Sequence, residues 1–316
     1  MGKRVIAICC LLAALLSGCG GESAAGGVTE QETSGISFTD DLDRTVTLSE
    51  PPRRVAALIG SFAEIWCLAG GKETLAASAG DAWTQFDLGL GPEVVDLGGV
   101  KEINTEMLFA VQPDLVLASS NTAADVALLD LLEEAGLTAA YFNVSAFPDY
   151  LRMLDICTQL TGCPEYYDQY GAAVETQVEA ARSRADGSAP TVLYVRATGS
   201  SCKVKNSQNS VLGEMLADLR CVNVADSDSS LLENLSIEGI IAADPDYIFA
   251  VYQGSDKEAA QAALEETLLN NPAWANLRAV RENRFHVLDH TLYNVKPNAR
   301  WGEAYEKLAD ILYPAE

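Results

Sequence analysis

The sequence predicts an α/β protein of two similar lobes, each with a mainly parallel central sheet, joined by one long rigid helix. Three observations predict it: β-rich runs alternate with helical runs, one segment recurs at a constant offset, and a long helix former lies between the two copies. The length agrees, since 316 residues exceed what one hydrophobic core usually supports.

The alternation is the basis for parallel sheets, because parallel strands need a crossover connection that is usually a helix. Strands are predicted at residues 54–59, 115–118, 139–142, 192–195, 247–251 and 285–288. Helices are predicted at residues 62–69, 105–111, 123–134, 211–216, 237–242, 259–268 and 298–312. We expect each sheet to be covered by helices on both faces.

One internal repeat indicates two lobes of similar build. The segment TEMLFAVQPDLVLAS at 105–119 matches IEGIIAADPDYIFAV at 237–251, at a constant offset of 132 residues. The aligned pairs are Glu106 and Glu238, Ala110 and Ala242, Pro113 and Pro245, and Asp114 and Asp246. Both copies are typical of a short helix opened by a polar capping residue, then a Pro-Asp turn and a buried strand.

A continuous helix former at 164–184 lies midway between the two copies. It contains a single glycine, Gly171, and the Asp-Gly-Ser triplet at 186–188 ends it. At about 1.5 Å per residue such a helix reaches roughly 30 Å, enough to bridge two lobes. We therefore predict an N-terminal lobe at 36–163, a linking helix at 164–187 and a C-terminal lobe at 188–316.

The first 19 residues predict export and a lipid anchor. Two basic residues precede an apolar run at 5–16, which is too short to span a bilayer and typical of a signal peptide. The next letters, LSGC, end at Cys19 and match the lipobox of bacterial lipoproteins, in which the cysteine is lipidated. Residues 20–35 have the composition of a flexible tether. We expect an extracytoplasmic protein anchored to the cell membrane.

Composition and motifs exclude several classes of function. The formal charge of -24 makes nucleic acid an unexpected partner. The sequence has no nucleophile elbow, no Walker loop, no zinc-protease motif and no dinucleotide fingerprint. We therefore expect a protein that is not an enzyme and that carries no cofactor.

Cysteine and histidine give little evidence for thiol or metal chemistry. Five cysteines follow Cys19, an odd number that argues against a complete disulfide framework, although one bridge at 157–163 or 202–221 stays open. His286 and His290 are the only histidines, and the strand-like sequence around the first separates their side chains. No bare metal ion is expected, while haem ligation by His290, Tyr252 or Tyr293 stays open.

Five phrases, taken in order, resemble one family. They are FTDDLDRTVTLSEPPRRVAAL at 38–58, the GG-x-x-E-x-N-x-E phrase at 98–106, the two repeat copies and NPAWANLRAVRENRFHVLD at 271–289. Together they resemble the periplasmic-binding proteins of iron-siderophore, haem and cobalamin importers, over about residues 38–312. The resemblance implies two Rossmann-like lobes joined by one long helix, the class III architecture of substrate-binding proteins. It also implies a ligand held in the cleft between the lobes, with slight closure.

The cleft should be lined by loops at the carboxyl ends of the strands, where open α/β sheets bind their ligands. That rule selects Ser61, Phe62, Ser120, Asn121, Arg196, Thr198 and Tyr252. The resemblance adds residues 81–86 and Lys101 at the cleft mouth, where Trp83 is an aromatic suited to ligand stacking. Arg300 is a further candidate ligand contact at the head of the last helix. Its neighbour Trp301 could reach the cleft or belong to the core, and both interpretations stay open.

Basic residues number only 21, yet Arg196, Lys203 and Lys205 fall within ten residues of one another. In a cleft they would suit an anionic ligand, such as a ferric catecholate, a ferric carboxylate chelate or a haem propionate, because arginine can bind two oxygens at once. On a solvated loop they would form ordinary surface ion pairs. Both interpretations stay open.

Glu106 and Glu238 fall in the first turn of the repeated helix. A carboxylate there interacts favourably with the helix dipole and stabilises the helix by about 0.3–1 kcal/mol. This effect alone would explain the presence of either glutamate. The resemblance implies a second role, in which one exposed glutamate per lobe pairs with arginines of a permease dimer. Ion pairs at an interface rim mainly set orientation and association rate.

These inferences predict the substrate-binding lipoprotein of an ATP-driven importer. It would capture an iron complex, with a ferric siderophore as the first candidate, and deliver it to a permease dimer with its ATPase. Haem and cobalamin are alternative cargoes. A surface adhesin or a sensor ectodomain is the alternative from another class, and the sequence does not name the ligand.

Overall fold

The computed structural model describes residues 35–233, 235–254 and 256–314. The predicted signal peptide, the predicted lipidation site Cys19 and all but the last residue of the predicted tether lie outside the described residues. In the described part of the chain, no helix is both long enough and apolar enough to cross a membrane.

The N-terminal half is built around a five-stranded sheet. Its strands are β1 (Ile36–Thr39), β2 (Thr45–Leu48), β3 (Val55–Ala57), β4 (Leu75–Ser78), β5 (Val95–Asp96), β6 (Gly98–Gly99), β7 (Glu102–Ile103), β8 (Leu115–Ser119) and β9 (Ala139–Phe142). Its helices are α1 (Gly60–Trp66), α2 (Asp81–Thr84), α3 (Thr105–Val111), α4 (Ala123–Val126), α5 (Leu129–Glu134) and α6 (Phe147–Thr161). The sheet has the order β5-β4-β3-β8-β9 and is parallel throughout, while β1-β2 and β6-β7 form separate antiparallel pairs.

Both faces of this sheet are covered, as its apolar strands require. Val116 and Ala118 of β8 face a cluster that includes residues of α3 and α5, whereas Leu115 and Leu117 face a larger core with α1 and α6. Successive side chains of a strand point to opposite faces, so a strand with apolar residues on both faces needs an apolar layer on each side.

A helical rod follows the N-terminal sheet. It consists of α7 (Glu165–Tyr167), a π-helical turn at Asp168–Ala172 and α8 (Ala173–Arg182). Gly171 has a packing role there, because a Cβ at this position would lie 3.0 Å from the ring of Tyr167. Val174, Val178 and Ala181 bury one side of α8 in the larger core.

The C-terminal half repeats the design. Its strands are β10 (Thr191–Thr198), β11 (Ser201–Lys205), β12 (Val222–Asn223), β13 (Tyr247–Tyr252) and β14 (Phe285–Leu288). Its helices are α9 (Val211–Asp218), α10 (Val224–Ser227), α11 (Ser230–Glu233), α12 (Ile237–Ala243), α13 (Lys257–Leu264), α14 (Arg278–Arg281), α15 (His290–Tyr293) and α16 (Trp301–Leu312). The sheet order is β11-β10-β13-β14 with β12 beside β10, and only β11 is antiparallel. Two mainly parallel sheets joined by one helix confirm the predicted fold class.

The two repeat copies have the same local structure. The Asn104 side chain accepts a hydrogen bond from the backbone N–H of Met107 at the start of α3, and Ser236 accepts one from Gly239 at the start of α12. Both helices end in a left-handed residue, with φ of 50° and 37°, before the Pro-Asp turn. Each following strand, β8 or β13, then pairs with a central strand of its own sheet.

The aspartates of the two turns fix the neighbouring strand. Asp114 accepts hydrogen bonds from the backbone N–H of Arg53 at 2.8 Å and of Arg54 at 3.1 Å, just before β3. Asp246 accepts one from the N–H of Thr191 at 2.8 Å and one from its hydroxyl at 2.7 Å, at the first residue of β10. The repeat thus sets strand register in both halves.

The helix predicted at 123–134 is wrong as a single element, because it is the two helices α4 and α5. The Asp125 carboxylate turns inward to accept a hydrogen bond from the backbone N–H of Ser119 at 2.8 Å, which fixes α4 against the end of β8. The chain then restarts as α5, which places Leu132 in the core. All five cysteines of the described chain are free, so neither open pairing forms a bridge.

Candidate ligand-binding cleft

The carboxyl ends of the two sheets border a common cavity of about 540 Å³. Thr198 ends β10 and Gln253 follows β13, so both reach the cavity from the C-terminal half. Gln85 follows α2 and Lys101 lies in the turn between β6 and β7, so both reach it from the N-terminal half. This is the position at which open α/β sheets bind ligands.

Uncharged polar groups dominate the lining of this cavity. Gln85, Gln253 and Asn294 supply three side-chain amides, while Lys101 and Asp256 bring one charge of each sign. Amides donate and accept hydrogen bonds, so such a lining suits ligands rich in oxygen and nitrogen groups.

A hydrogen bond joins the two halves at the cavity. His290 Nε2, at the start of α15, lies 2.6 Å from Gln85 Oε1. Burial lowers the pKa of His290, so the ring is neutral at pH 7. Because the glutamine oxygen only accepts, Nε2 carries the proton, and the buried Nδ1 has no partner among the described residues.

A smaller cavity of about 220 Å³ adjoins the first and shares Gln85 and Val295 with it. Glu64 of α1 lines the smaller cavity, and burial raises the pKa of its carboxyl to about 7. Asn298 donates from Nδ2 to Glu64 Oε2 at 2.6 Å and to the carbonyl of Ser61 at 2.9 Å. Asn298 is completely buried, so it ties the segment before α16 to the N-terminal half.

Two aspartates lie near the carboxyl ends of strands in the N-terminal sheet, and their negative charges attract Lys296. Asp81 accepts a hydrogen bond from the backbone N–H of Gly60 at 2.7 Å, and Asp125 accepts the one from Ser119. Burial raises the pKa of both aspartates to about 6 and lowers the pKa of Lys296 to about 8. Attraction between the opposite charges opposes these shifts, and all three groups are mainly ionised at pH 7.

Several residues predicted from the sequence line the two cavities. Lys101 and Thr198 line the larger one, and Arg300 lines the smaller one. Of the predicted segment 81–86, Gln85 lines both cavities and Phe86 lines the smaller one. Arg300 Nε lies 2.7 Å from an oxygen of Glu303 in α16, so its charge is already paired. A partly exposed pair of this kind contributes little to stability.

The other residues selected at strand ends lie outside both linings. Ser61 and Phe62 are buried in the first turn of α1, and Tyr252 is half-buried against the core of the C-terminal half. Asn121 and Trp83 are exposed. Their roles as ligand contacts remain predictions.

Arg196, Lys203 and Lys205 share one face of the C-terminal sheet. Arg196 is directly opposite Lys203, and Lys205 is opposite Tyr194. Arg196 donates from Nε to the Tyr194 hydroxyl at 3.2 Å. Burial lowers the pKa of Lys205, and the charges of Arg196 and Lys203 lower it further. The three basic residues line neither cavity and form no ion pair with a described residue, so both interpretations of this patch stay open.

The residues considered for haem ligation differ in access. Tyr293 is buried and donates its hydroxyl to the carbonyl of Ala304 at 3.0 Å, which commits the phenol to the core. His290 lines the larger cavity, whereas Tyr252 does not. Over the described ranges, no cluster of three or more His, Cys, Asp or Glu side chains could hold a metal ion.

Gln253, Asn294 and Lys296 line the cavities but are not predicted from the sequence. Gln253 follows Tyr252, so extending the strand-end rule by one residue would have found it. Asn294 and Lys296 lie between two helices, in a segment without a periodic pattern. For Lys296, the only available signal was the scarcity of basic residues.

Glu106 and Glu238 occupy equivalent places, the second residue of α3 and of α12, and both are exposed. Hydrogen bonds from its own backbone N–H and from the Ser236 hydroxyl lower the pKa of Glu238, so it is ionised at neutral pH. Each half therefore presents one glutamate on an exposed helical turn.

Two similar α/β halves that are joined by one helix and enclose a cavity at the ends of their sheets define a two-lobed ligand-binding protein. A family model described as periplasmic binding protein matches residues 55–292. The chain belongs to this family, whose members bind solutes and are not enzymes.

Known relatives agree with this assignment. The ABC transporter substrate-binding lipoprotein YvrC of Bacillus subtilis is 21% identical over 313 residues, which cover 96% of this chain and 95% of the relative. The iron-uptake system-binding protein of the same organism is 24% identical over 222 residues, covering 69% of this chain and 67% of the relative. The periplasmic heme-binding protein RhuT of Roseiflexus has the same fold, with a TM-score of 0.66, 23% identity and coverage of 83% of this chain and 98% of that one.

Proposed function

We propose that this protein is the substrate-binding component of an ABC importer, and that it captures an iron complex between its two halves. The observation that carries the proposal is the cavity of about 540 Å³ at the carboxyl ends of two similar sheets. The names of two Bacillus relatives, a substrate-binding lipoprotein and an iron-uptake binding protein, support it.

Among the possible cargoes, the lining favours a ferric siderophore. Three amides, a lysine and an aspartate suit a complex that presents many oxygen atoms. Haem has broad apolar faces, and among the described residues no Phe, Tyr or Trp side chain lines the larger cavity. Haem and cobalamin remain the alternative cargoes.

The proposal includes partners and a location. A permease dimer with its ATPase would receive the ligand, and Glu106 and Glu238 would pair with it. The protein would work outside the cytoplasm, held at the cell membrane by lipid on Cys19. The anchor would need more than one acyl chain, because a single chain binds a membrane only marginally. Mass spectrometry of the membrane fraction tests the anchor, which requires an acylated Cys19 as the first residue.

Ligand binding is tested by the quenching of tryptophan fluorescence, for which the chain has four tryptophans. The titrants are ferric dicitrate, a ferric tris-catecholate, ferrioxamine B, haemin and cyanocobalamin, with free N-acetyltryptophanamide as the control for light absorption. We expect a saturable signal with a Kd of about 1 μM or tighter for one ferric chelate.

A matched pair of variants locates the binding. Lys101→Ala removes a cation from the cavity lining, whereas Lys72→Ala removes an exposed cation elsewhere in the N-terminal half. We expect only the first to weaken binding, by at least threefold. A wild-type protein that none of the five titrants quenches specifically would contradict the proposed function.

An adhesin or sensor ectodomain is the second candidate. Such a protein would not act in uptake, so deleting its gene would leave the accumulation of the bound chelate unchanged.

A further inference from the structure

Lys296 places an ammonium group between the two halves. Its Nζ lies 5.8 Å from the ring centroid of Phe62 in the N-terminal half. The charges of Asp81, Asp125 and Arg196 all act on it. The two aspartates stand at the carboxyl end of one sheet and Arg196 near the carboxyl end of the other, so the ammonium is under the influence of charges from both halves.

This ammonium has no partner of its own among the described residues, because no carboxylate lies within ion-pair distance and no acceptor receives a hydrogen bond from it. Asp81 and Asp125 each accept a backbone hydrogen bond through one oxygen, from Gly60 and Ser119, while Asp125 Oδ1 has no partner among the described residues. Both carboxylates attract the ammonium from beyond ion-pair distance. A half-buried ammonium with three unused donors costs free energy. The ammonium of Lys296 is therefore available to donate hydrogen bonds to an acceptor on a bound ligand.

The smaller cavity gives such a group a place. Lys296 lines this cavity of about 220 Å³, which adjoins the larger one. Two carboxyl groups share the lining, but Glu64 is bonded to Asn298 at 2.6 Å and Asp87 is exposed. Arg300, the other cation of the lining, is paired with Glu303.

We infer that Lys296 pairs with an acidic oxygen of the bound ligand, a carboxylate or a catecholate, and so selects anionic complexes over neutral ones. This inference rests on the proposed function and adds to it the residue that sets the charge of the cargo. The attraction between two opposite charges is stronger in a partly desolvated cavity than on the surface. A single lysine can therefore discriminate between anionic and neutral complexes.

The test compares wild type, Lys296→Met, Lys296→Arg and Lys307→Met. Lys307 is 56% exposed and pairs with Glu303 on α16, so its variant controls for the loss of a lysine outside the cavities. Each protein is titrated with the same five compounds and with haemin dimethyl ester, which lacks the acidic groups of haemin. Circular dichroism establishes that each variant folds.

We expect wild type to bind an acidic member of the panel. Lys296→Met should weaken that complex at least tenfold, Lys296→Arg should stay within about threefold of wild type, and Lys307→Met should match wild type. Equal affinity in Lys296→Met, or wild-type binding confined to ferrioxamine B or cyanocobalamin, overturns this inference alone. Failure of every titrant to bind wild type overturns the proposed function and this inference with it.

A second readout separates charge from shape. Between pH 7 and pH 9 the lysine loses its proton, so wild-type affinity for the acidic ligand should fall about tenfold. Asp81, Asp125 and Arg196, which act on this ammonium, keep their charges over that range. Glu64 lines the same cavity with a pKa of about 7 and would also gain charge, so both pH profiles are measured with Glu64→Gln in the background. Arginine also stays charged, so Lys296→Arg should show a flat profile. A flat wild-type profile contradicts the assignment.

Discussion

Glu64 illustrates how burial acts on a single residue of this molecule. Its carboxyl lines the smaller cavity, and burial raises its pKa from 4.5 to about 7, although the hydrogen bond from Asn298 favours the ionised form. Between these two values the folded state binds a proton that the unfolded chain has lost. The associated stability is therefore present below about pH 4.5 and is lost as the pH rises through 7.

Replacing Glu64 with Gln should remove that pH dependence, because glutamine keeps an acceptor for Asn298 and never ionises. We expect Glu64→Gln to gain roughly 2 kcal/mol relative to wild type when the pH rises from 5 to 8. Urea denaturation at both values measures it, with the exposed residue Glu134 changed to Gln as the control. An equal difference from wild type at pH 5 and pH 8 would show that Glu64 has an ordinary pKa.

Single residues also show how far the sequence could define the site. The strand-end rule found Thr198, because a residue at the end of a central strand must reach that edge of the sheet. The same rule selected Ser61 and Phe62, which the first turn of α1 directs into the core. Lys296 reaches the cleft from an irregular segment, and the path of such a segment depends on tertiary contacts such as those of Asn298.

At the scale of elements, the repeated turn makes a prediction for both halves. Asp114 and Asp246 each accept two hydrogen bonds at the start of a central strand. Changing either to Ala leaves the donors at that strand without their partner, which should cost about 1–3 kcal/mol of unfolding free energy. Asp168→Ala, at an exposed position of the linking helix, should change it by less than about 0.5 kcal/mol.

Chemical denaturation of the three variants measures these changes. Asp246 also pairs with Arg278 at 2.9 Å, so the repeat requires Asp246→Ala to destabilise at least as much as Asp114→Ala. A loss confined to one of them would mean that the two turns are alike in shape and different in energetic role.

Elements with a strong local pattern were predicted accurately. The strands Ala139–Phe142 and Phe285–Leu288 and the helix Thr105–Val111 have the expected bounds. Several elements are not predicted from the sequence, among them β4, β11 and α6. The sequence of β4 is LAAS and that of β11 is SCKVK, neither of which has the dense β-branched composition of a strand recognised locally. Pairing with β3 and β10 forms them instead.

At the scale of the whole molecule, the two halves share part of their core. The largest apolar cluster contains Phe62 and Leu154 of the N-terminal half, Val178 of the linking helix and Phe249 of the C-terminal half, while each half also has a cluster of its own. Core packing resists deformation because its side chains interdigitate at crystal-like density. The shared cluster and the buried Asn298 therefore favour a small closure over a wide hinge motion.

Under the proposed function, a protein that closes little would present nearly the same surface to a permease with and without ligand. We therefore predict that docking uses fixed groups in each half. Reversing the charge of both exposed glutamates, Glu106→Lys with Glu238→Lys, should leave the ligand Kd within about twofold of wild type, because neither residue lines a cavity. Uptake of the bound chelate into cells should fall at least tenfold, because the two introduced lysines would repel the arginines of the permease with which the glutamates are proposed to pair.

The control for this docking test reverses two other exposed glutamates, Glu134 in the N-terminal half and Glu258 in the first turn of α13. It changes the net charge equally and also places a lysine at a helix start, where the loss of a carboxylate costs about 0.3–1 kcal/mol. Each single reversal at Glu106 or Glu238 should give an intermediate rate if both halves contact the permease. Uptake at the wild-type rate in the double variant would remove Glu106 and Glu238 from the docking surface while leaving the cleft and its ligand unaffected.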